Sequence, residues 1–216
     1  MAIVKGIRTE DVSSVLLKLP RCLRYLVKEI TLDMAPSMEK IARKCFPVAS
    51  LVTDRFHVHQ LVHEAVQDIW VQHCWEAIES ENEAILQARE NGLKFKPDML
   101  ESGDTLKQLL AQSRYLLYKT PSSWTPSQKT RADLLFKLYP DIKQAYELAL
   151  QLGQIFWKTR WKDVAYTKLA QWYRKAEETR FKAFVTVAKT IESHYQAILN
   201  YFDNRSTNAV AESFNA

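Results

Sequence analysis

Two short apolar runs, each closed by an aspartate, flank a single helical repeat near the start of this chain, and nothing downstream of them reads as a strand. Residues 25–32 are short and β-branched and stop at Asp33. Residues 49–53 form a compact apolar run bounded by Pro47 and Asp54, the pattern of a buried strand. Between them Pro36 suits the first turn of a helix. Met38, Ile41, Ala42 and Cys45 then share one face as far as Phe46, and Pro47 stops the helix. A strand, a crossover helix and a second strand in this order predict a parallel pair. Asp33 and Asp54 then share the carboxyl edge of the sheet, where α/β sites form. Two parallel strands are not a stable sheet by themselves. The pattern therefore implies neighbouring strands from elsewhere, and the chain reads as part of a larger protein, cut at both ends.

The remainder predicts helices. Val12, Val15, Leu16 and Leu19 mark a short one before Pro20. From Phe56 the apolar positions Leu61, Ala65, Ile69, Trp75, Ile78, Ile85 and Leu86 keep a helical period with no Pro or Gly until Gly92, so one long helix is expected. Leu106, Leu109, Leu110, Ser113 and Leu117 mark the next. Residues 121–126 are a turn, with Ser127 as N-cap of the helix that follows. Further helices are expected at about 127–138, 141–157, 162–177 and 179–200.

Composition narrows the function. Lys and Arg number 30 against 25 Asp and Glu, a mild excess that permits a polyanionic partner without requiring one. The three cysteines, Cys22, Cys45 and Cys74, lack paired spacing and argue against a disulfide framework. No apolar run approaches a membrane span of about 18 residues, and residues 1–10 lack the apolar core of a secretory signal. A cytoplasmic protein follows. Gly-x-Ser-x-Gly elbows and phosphate-cradling glycine loops are absent.

Asp33 and Asp54 each stand between a strand and a helix, where Asp is a common N-cap. Glu212, in Asn208-Ala209-Val210-Ala211-Glu212-Ser213-Phe214-Asn215, reads by itself as a solvated acid. Taken jointly, however, two strand-end carboxylates and a remote helical one are what a divalent metal site for phosphoryl transfer needs.

The segments Thr31-Leu32-Asp33-Met34, Phe46-Pro47, Val52-Thr53-Asp54-Arg55-Phe56-His57-Val58 and 208–215 resemble bacterial insertion-sequence transposases of the DDE class. The resemblance is to the branch whose RNase H-like core is interrupted by a large helical insertion, and it spans residue 9 to the end. It implies a mostly α chain with a short parallel βαβ element: a partial RNase H-like core at 1–55, a helical insertion at 56–200, and the start of the Glu-bearing core helix at 201–216. It also implies a two-ion Mg²⁺ site, in which Asp33 and Glu212 are the metal ligands. Asp54 and His57 match an accessory Asp-x-x-His pair that braces the site. An alternative alignment makes Asp54 the triad residue and Asp33 a cap. One departure is serious: the first triad Asp belongs on an earlier strand, and residues 1–25 hold only Asp11, in a helical context. The resemblance therefore implies metal-dependent cleavage and strand transfer by intact relatives, and a chain inactive alone.

The implied partner is DNA, the transposon ends and target, bound by a homo-oligomer at the bacterial nucleoid. In the insertion, Lys158, Arg160, Lys162, Lys168, Arg174, Lys175, Arg180 and Lys182 outnumber nearby acids, and Trp157, Trp161, Trp172 and Tyr173 lie among them. With Arg55, these cations are the candidate phosphate contacts, and an exposed aromatic could stack on an unpaired base. The opposing expectation is that the aromatics are core and the charges a solvated face. Two other readings compete. His57, His59 and His63 suggest a zinc site, although the metalloprotease order is not met. A non-enzymatic helical DNA-binding or oligomerisation protein explains the composition but not the two Asp-terminated strands.

Overall fold

The computed structural model describes Gly6 and residues 8–208. Its elements run α1 (Thr9–Leu16), α2 (Arg21–Leu26), β1 (Glu29–Leu32), α3 (Pro36–Cys45), β2 (Ser50–Thr53), α4 (Arg55–Glu90), α5 (Leu106–Ser113), α6 (Pro126–Leu138), α7 (Pro140–Lys158), α8 (Lys162–Glu178), α9 (Lys182–Ser193) and α10 (Tyr195–Asn204). The chain is thus mostly helical with one two-stranded parallel sheet, as the sequence pattern predicts. No helix among the described residues is long and apolar enough to cross a membrane.

The strands pair in register from Glu29 opposite Ser50 to Leu32 opposite Thr53. β2 is buried from Leu51 to Thr53, whereas β1 is half-buried throughout. α10 packs on β2, and its Asn200 side-chain amide donates to the Leu51 carbonyl at 2.9 Å, satisfying an outward-facing acceptor of the strand.

Three boundaries differ from the sequence expectation. Residues 25 and 26 close α2 rather than opening a strand. The Arg21 guanidinium stacks 4.8 Å over the Tyr25 ring and bonds its hydroxyl one turn on, and Arg24 donates to the Cys45 carbonyl at 2.7 Å. These contacts favour a helical turn over the strand propensity of the run. The N-cap of α6 is Thr125, not Ser127: Thr125 and Gln128 form a reciprocal capping box, with Pro126 at the first helical position. The single helix expected at 179–200 is two, broken at His194, where the Ser193 hydroxyl donates to the Thr190 carbonyl at 2.8 Å.

The chain packs as two compact units, one of Met1–Gln60, Gln154–Arg174 and Ala188–Ala216, the other of Leu61–Gly153 and Lys175–Val187. The first unit has an aromatic core in which Phe156 meets Phe202 at 5.4 Å and Tyr201 at 5.5 Å. The second is centred on leucines such as Leu109, Leu110, Leu117 and Leu135, all fully buried. In it Trp124 stacks on Tyr146, whose pKa burial pushes up, and whose hydroxyl donates to the Lys119 carbonyl at 2.5 Å.

His63 packs 5.2 Å from the Tyr118 ring, and burial holds its pKa below the ordinary 6.5. The unfolded chain therefore takes up this proton first as pH falls. Stability should hold above pH of about 6.5 and decline below it, until the depressed folded pKa is passed. Chemical denaturation across that window should show a shallower decline for His63→Gln than for the parent chain. An unchanged slope contradicts the assignment.

Candidate functional site

The ladder between β1 and β2 extends one residue past the strands, because the Asp54 amide donates to the Leu32 carbonyl at 2.9 Å. Asp33 and Asp54 thus leave neighbouring strands, spaced about 5 Å apart, at the same carboxyl end. Their environments differ. Asp33 is exposed, and its Oδ1 accepts from the Ala35 amide at 3.1 Å, a turn that leads into α3. Asp54 is only 2% exposed. Its Oδ1 accepts from the Phe56 amide at 2.9 Å, capping the 36-residue α4. Its Oδ2 accepts from the Asn208 amide at 2.6 Å.

That last bond brings the end of the described chain to the sheet edge, four residues before Glu212. Glu212 itself lies outside the described residues. His57 is half-buried one turn into α4 and meets the Phe56 ring edge-on at 5.7 Å. It makes no hydrogen bond to Asp33 or Asp54 among the described residues; the Asp54 oxygens are engaged by amides instead. The zinc reading gains nothing. His59 packs edge-on against Phe156 at 5.5 Å, and no three His, Cys, Asp or Glu side chains gather as a metal centre among the described residues. Among the described residues at the sheet edge, Asp33 Oδ2 is the available carboxylate oxygen. One carboxylate is too little to define a metal centre.

The basic residues sort by environment. Arg55 opens α4, donates to the Tyr201 hydroxyl at 3.4 Å and lies 4.9 Å over the Trp157 ring. Lys162 is committed to Asn200 at 2.8 Å and Asp203 at 2.6 Å, and Lys168 donates to the Thr159 hydroxyl at 3.3 Å. Lys158, Arg160 and Arg174 are exposed in the same unit. Lys175, Arg180 and Lys182 belong to the other unit. There Lys175 bonds Gln151 at 3.2 Å, and Arg180, in the left-handed region at φ 58°, lines with Lys182 an open groove of about 690 Å³ that also carries Glu64, Asp68 and Asp141. The aromatics divide too. Trp172 is core at 2% exposure and Tyr173 bonds Glu192, whereas Trp157 and Trp161 are 67% and 74% exposed.

Residues the sequence did not single out hold this region together. Arg205 caps α10 in a left-handed conformation, φ 56°, and its guanidinium donates to the Phe156 and Thr159 carbonyls. Asn200 is equally unmarked by any motif, and Asn208, which opens the 208–215 segment, was not singled out for its bond to Asp54.

The model of a transposase family, DDE_Tnp_ISL3, matches residues 1–216. Transposases of the DDE class generally use divalent metal and act on DNA. No curated protein and no solved structure matches the chain.

Replacing Asp54 with Ala should remove both the α4 cap and the Asn208 anchor. The cap alone is worth about 0.5–2 kcal/mol. Urea unfolding should show at least that loss, and limited proteolysis should cut after residue 204 faster than in the parent. Asp54→Asn should be intermediate, because its amide nitrogen faces one of the two donors. An Asp54→Ala variant as stable as the parent contradicts the double anchor.

Proposed function

We propose, starting from the fact that the chain belongs to the DDE_Tnp_ISL3 family of transposases, that it carries part of an RNase H-like catalytic core interrupted by a DNA-holding helical insertion. The observation that carries this reading is the buried Asp54 carboxylate at the parallel-strand edge, bonded to Asn208 in the approach to Glu212. On this reading Asp33 and Glu212 are the carboxylates that hold Mg²⁺. Such an ion, when bound, neutralises charge on the scissile phosphate. Asp54 is a positioning residue that fixes the start of α4 and the segment returning to the edge. His57 braces the same turn.

Residues 1–25 offer only Asp11, which is exposed on α1, so the first triad carboxylate is not supplied there. Intact relatives would cut and join DNA at transposon ends as homo-oligomers on the bacterial chromosome, and this chain would bind DNA without cutting it. A second reading, a non-enzymatic helical DNA-binding or oligomerisation protein, draws on the single available carboxylate at the edge among the described residues. The two part on whether Asp33 and Glu212 share an ion.

The DNA contacts are assigned to Arg55, Lys158, Arg160 and Arg174 in one unit and Arg180 and Lys182 in the other. Lys162, Lys168 and Lys175 hold protein partners first. Affinity for a linear duplex should fall linearly in log–log against salt, by about 0.9 per phosphate neutralised. Lys158→Ala and Arg160→Ala should each reduce that slope by about 1. Lys162→Ala should instead lower the unfolding midpoint and leave the slope unchanged, and Asp33→Asn should leave binding intact. Fluorescence anisotropy at several salt concentrations reads the binding of all four variants, and urea unfolding reads the Lys162→Ala midpoint. Affinity without salt dependence contradicts the reading.

A further inference from the structure

The second half of α4 carries two apolar faces, and one of them is turned to solvent. Val71, Trp75, Ile78 and Ile85 follow one another at steps of four, three and seven residues, and Leu86 adjoins the last, so all five share one stripe of the helix. Trp75 is 60% exposed and Leu86 58%, and Val71 and Ile85 are exposed as well. The buried residues of α4 in this unit, such as Val62, Val66 and Ile69, fall on the opposite side and supply its core contacts. The outward stripe therefore contributes little to the core. At 1.5 Å per residue it runs for about 22 Å. An apolar stripe of this length is unfavourable in water and marks a surface that is covered in use.

The charge beside the stripe is one-sided. Residues 64–90 hold seven acids and a single base, Arg89, in a chain whose Lys and Arg outnumber its acids by 30 to 25. Glu76, Glu79, Glu83 and Glu90 form an exposed row at steps of three, four and seven residues, one position round the helix from the stripe. Glu76 meets His73 at 2.9 Å, and Glu81, on the other border, pairs with Lys107 at 3.4 Å. Among the described residues Glu79, Glu83 and Glu90 make no ion pair. Like charges at this spacing repel, and a partner that brings cations relieves the repulsion. The row also decides what fits. DNA and an anionic membrane surface are repelled. A second copy laid on the same stripe sets Glu79 and Glu83 against their own counterparts when antiparallel, and against Glu81 when parallel. The complementary surface is a helix with its own apolar stripe and Lys or Arg along the flank.

We propose that the outer face of α4 from Val71 to Leu86 is a docking surface for a cationic amphipathic helix of a partner protein. Trp75 is the apolar anchor near its centre, since a large indole gains most from being covered. Glu79 and Glu83 are the charge partners that steer the approach and make the contact sensitive to salt. About four turns of a partner helix cover the stripe. The surface belongs wholly to the second unit and does not depend on the DNA contacts or the carboxylates assigned above.

The test uses the full chain and three fluorescein-labelled peptides of about 18 residues. One has leucines at helical spacing and lysines elsewhere. The second has glutamates in place of the lysines, and the third has the residues of the first reordered to destroy the period. The helical lysine peptide should bind at one site per chain, and the other two more weakly by about tenfold or more. Trp75→Ser should weaken the lysine peptide by about tenfold or more, with circular dichroism and duplex-DNA affinity unchanged. Glu79→Gln combined with Glu83→Gln should flatten the salt dependence of peptide binding, and Tyr115→Ser, at another exposed ring of the same unit, should leave it as in the parent. Failure of the lysine peptide to bind, equal binding of the reordered peptide, or unchanged affinity in Trp75→Ser overturns the proposal and leaves the DNA-binding reading standing. A parent dimer that Trp75→Ser dissociates in sedimentation assigns the stripe to a second copy, and a loss of DNA affinity in Trp75→Ser assigns it to DNA. Either result also overturns the proposal.

Discussion

The Asp54 carboxylate accepts backbone amides from two directions, Phe56 at the start of α4 and Asn208 beyond α10, while its own amide is tied to Leu32 of β1. Two segments remote in sequence, β1 and the residues after α10, therefore meet at the start of α4 on one residue. A carboxylate that is 2% exposed is costly to hold without compensation. Here the compensation comes from N–H donors and from the amino-terminal end of a long helix, whose dipole favours negative charge. Removing the carboxylate would strand those donors, so its loss is expected to cost more than one hydrogen bond.

From this anchor the rest of the first unit follows. Capping by Asp54 fixes where α4 begins, and so places Arg55 beside Tyr201 and over Trp157. Arg205, one residue past α10, holds the carbonyls behind Trp157 and in the following loop. Asn200 closes the outer edge of β2 at Leu51. The exposed indoles are thus coupled to the sheet edge through short, polar, part-buried contacts. Asp33, by contrast, spends one oxygen on a local turn and keeps the other, as a group free to take a ligand does.

Legibility in the sequence tracked the range of the forces involved. The parallel pair and its crossover helix were readable because Pro36, Pro47 and two terminal aspartates punctuate a short stretch, and the long α4 because nothing breaks its period. α2 was missed because a cation–π contact from Arg21 to Tyr25 outweighs the strand propensity of the run. The cap of α6 moved to Thr125 because Gln128 returns its bond. Charge counting identified the basic residues but not their partners: Lys162 was indistinguishable from Lys158 until Asp203 came beside it. The aromatics were partly decipherable. Ala165, Leu169, Trp172 and Ala176 fall on one helical face and are all buried, so the phase of α8 marks Trp172 as core. Trp157 and Trp161, at a helix end and in a loop, have no such phase. The role of Asn208 depends on a contact across 154 residues of sequence, which no local pattern encodes.

On the proposed reading, Glu212 comes within reach of an ion held by Asp33. Spin labels on cysteines at positions 33 and 212, with Cys22 and Cys74 changed to serine and the buried Cys45 retained, measure that separation directly by double electron–electron resonance. A single short-distance population that broadens and lengthens when Asp54 is also changed to alanine is the predicted result. A long separation that ignores the Asp54 substitution contradicts it.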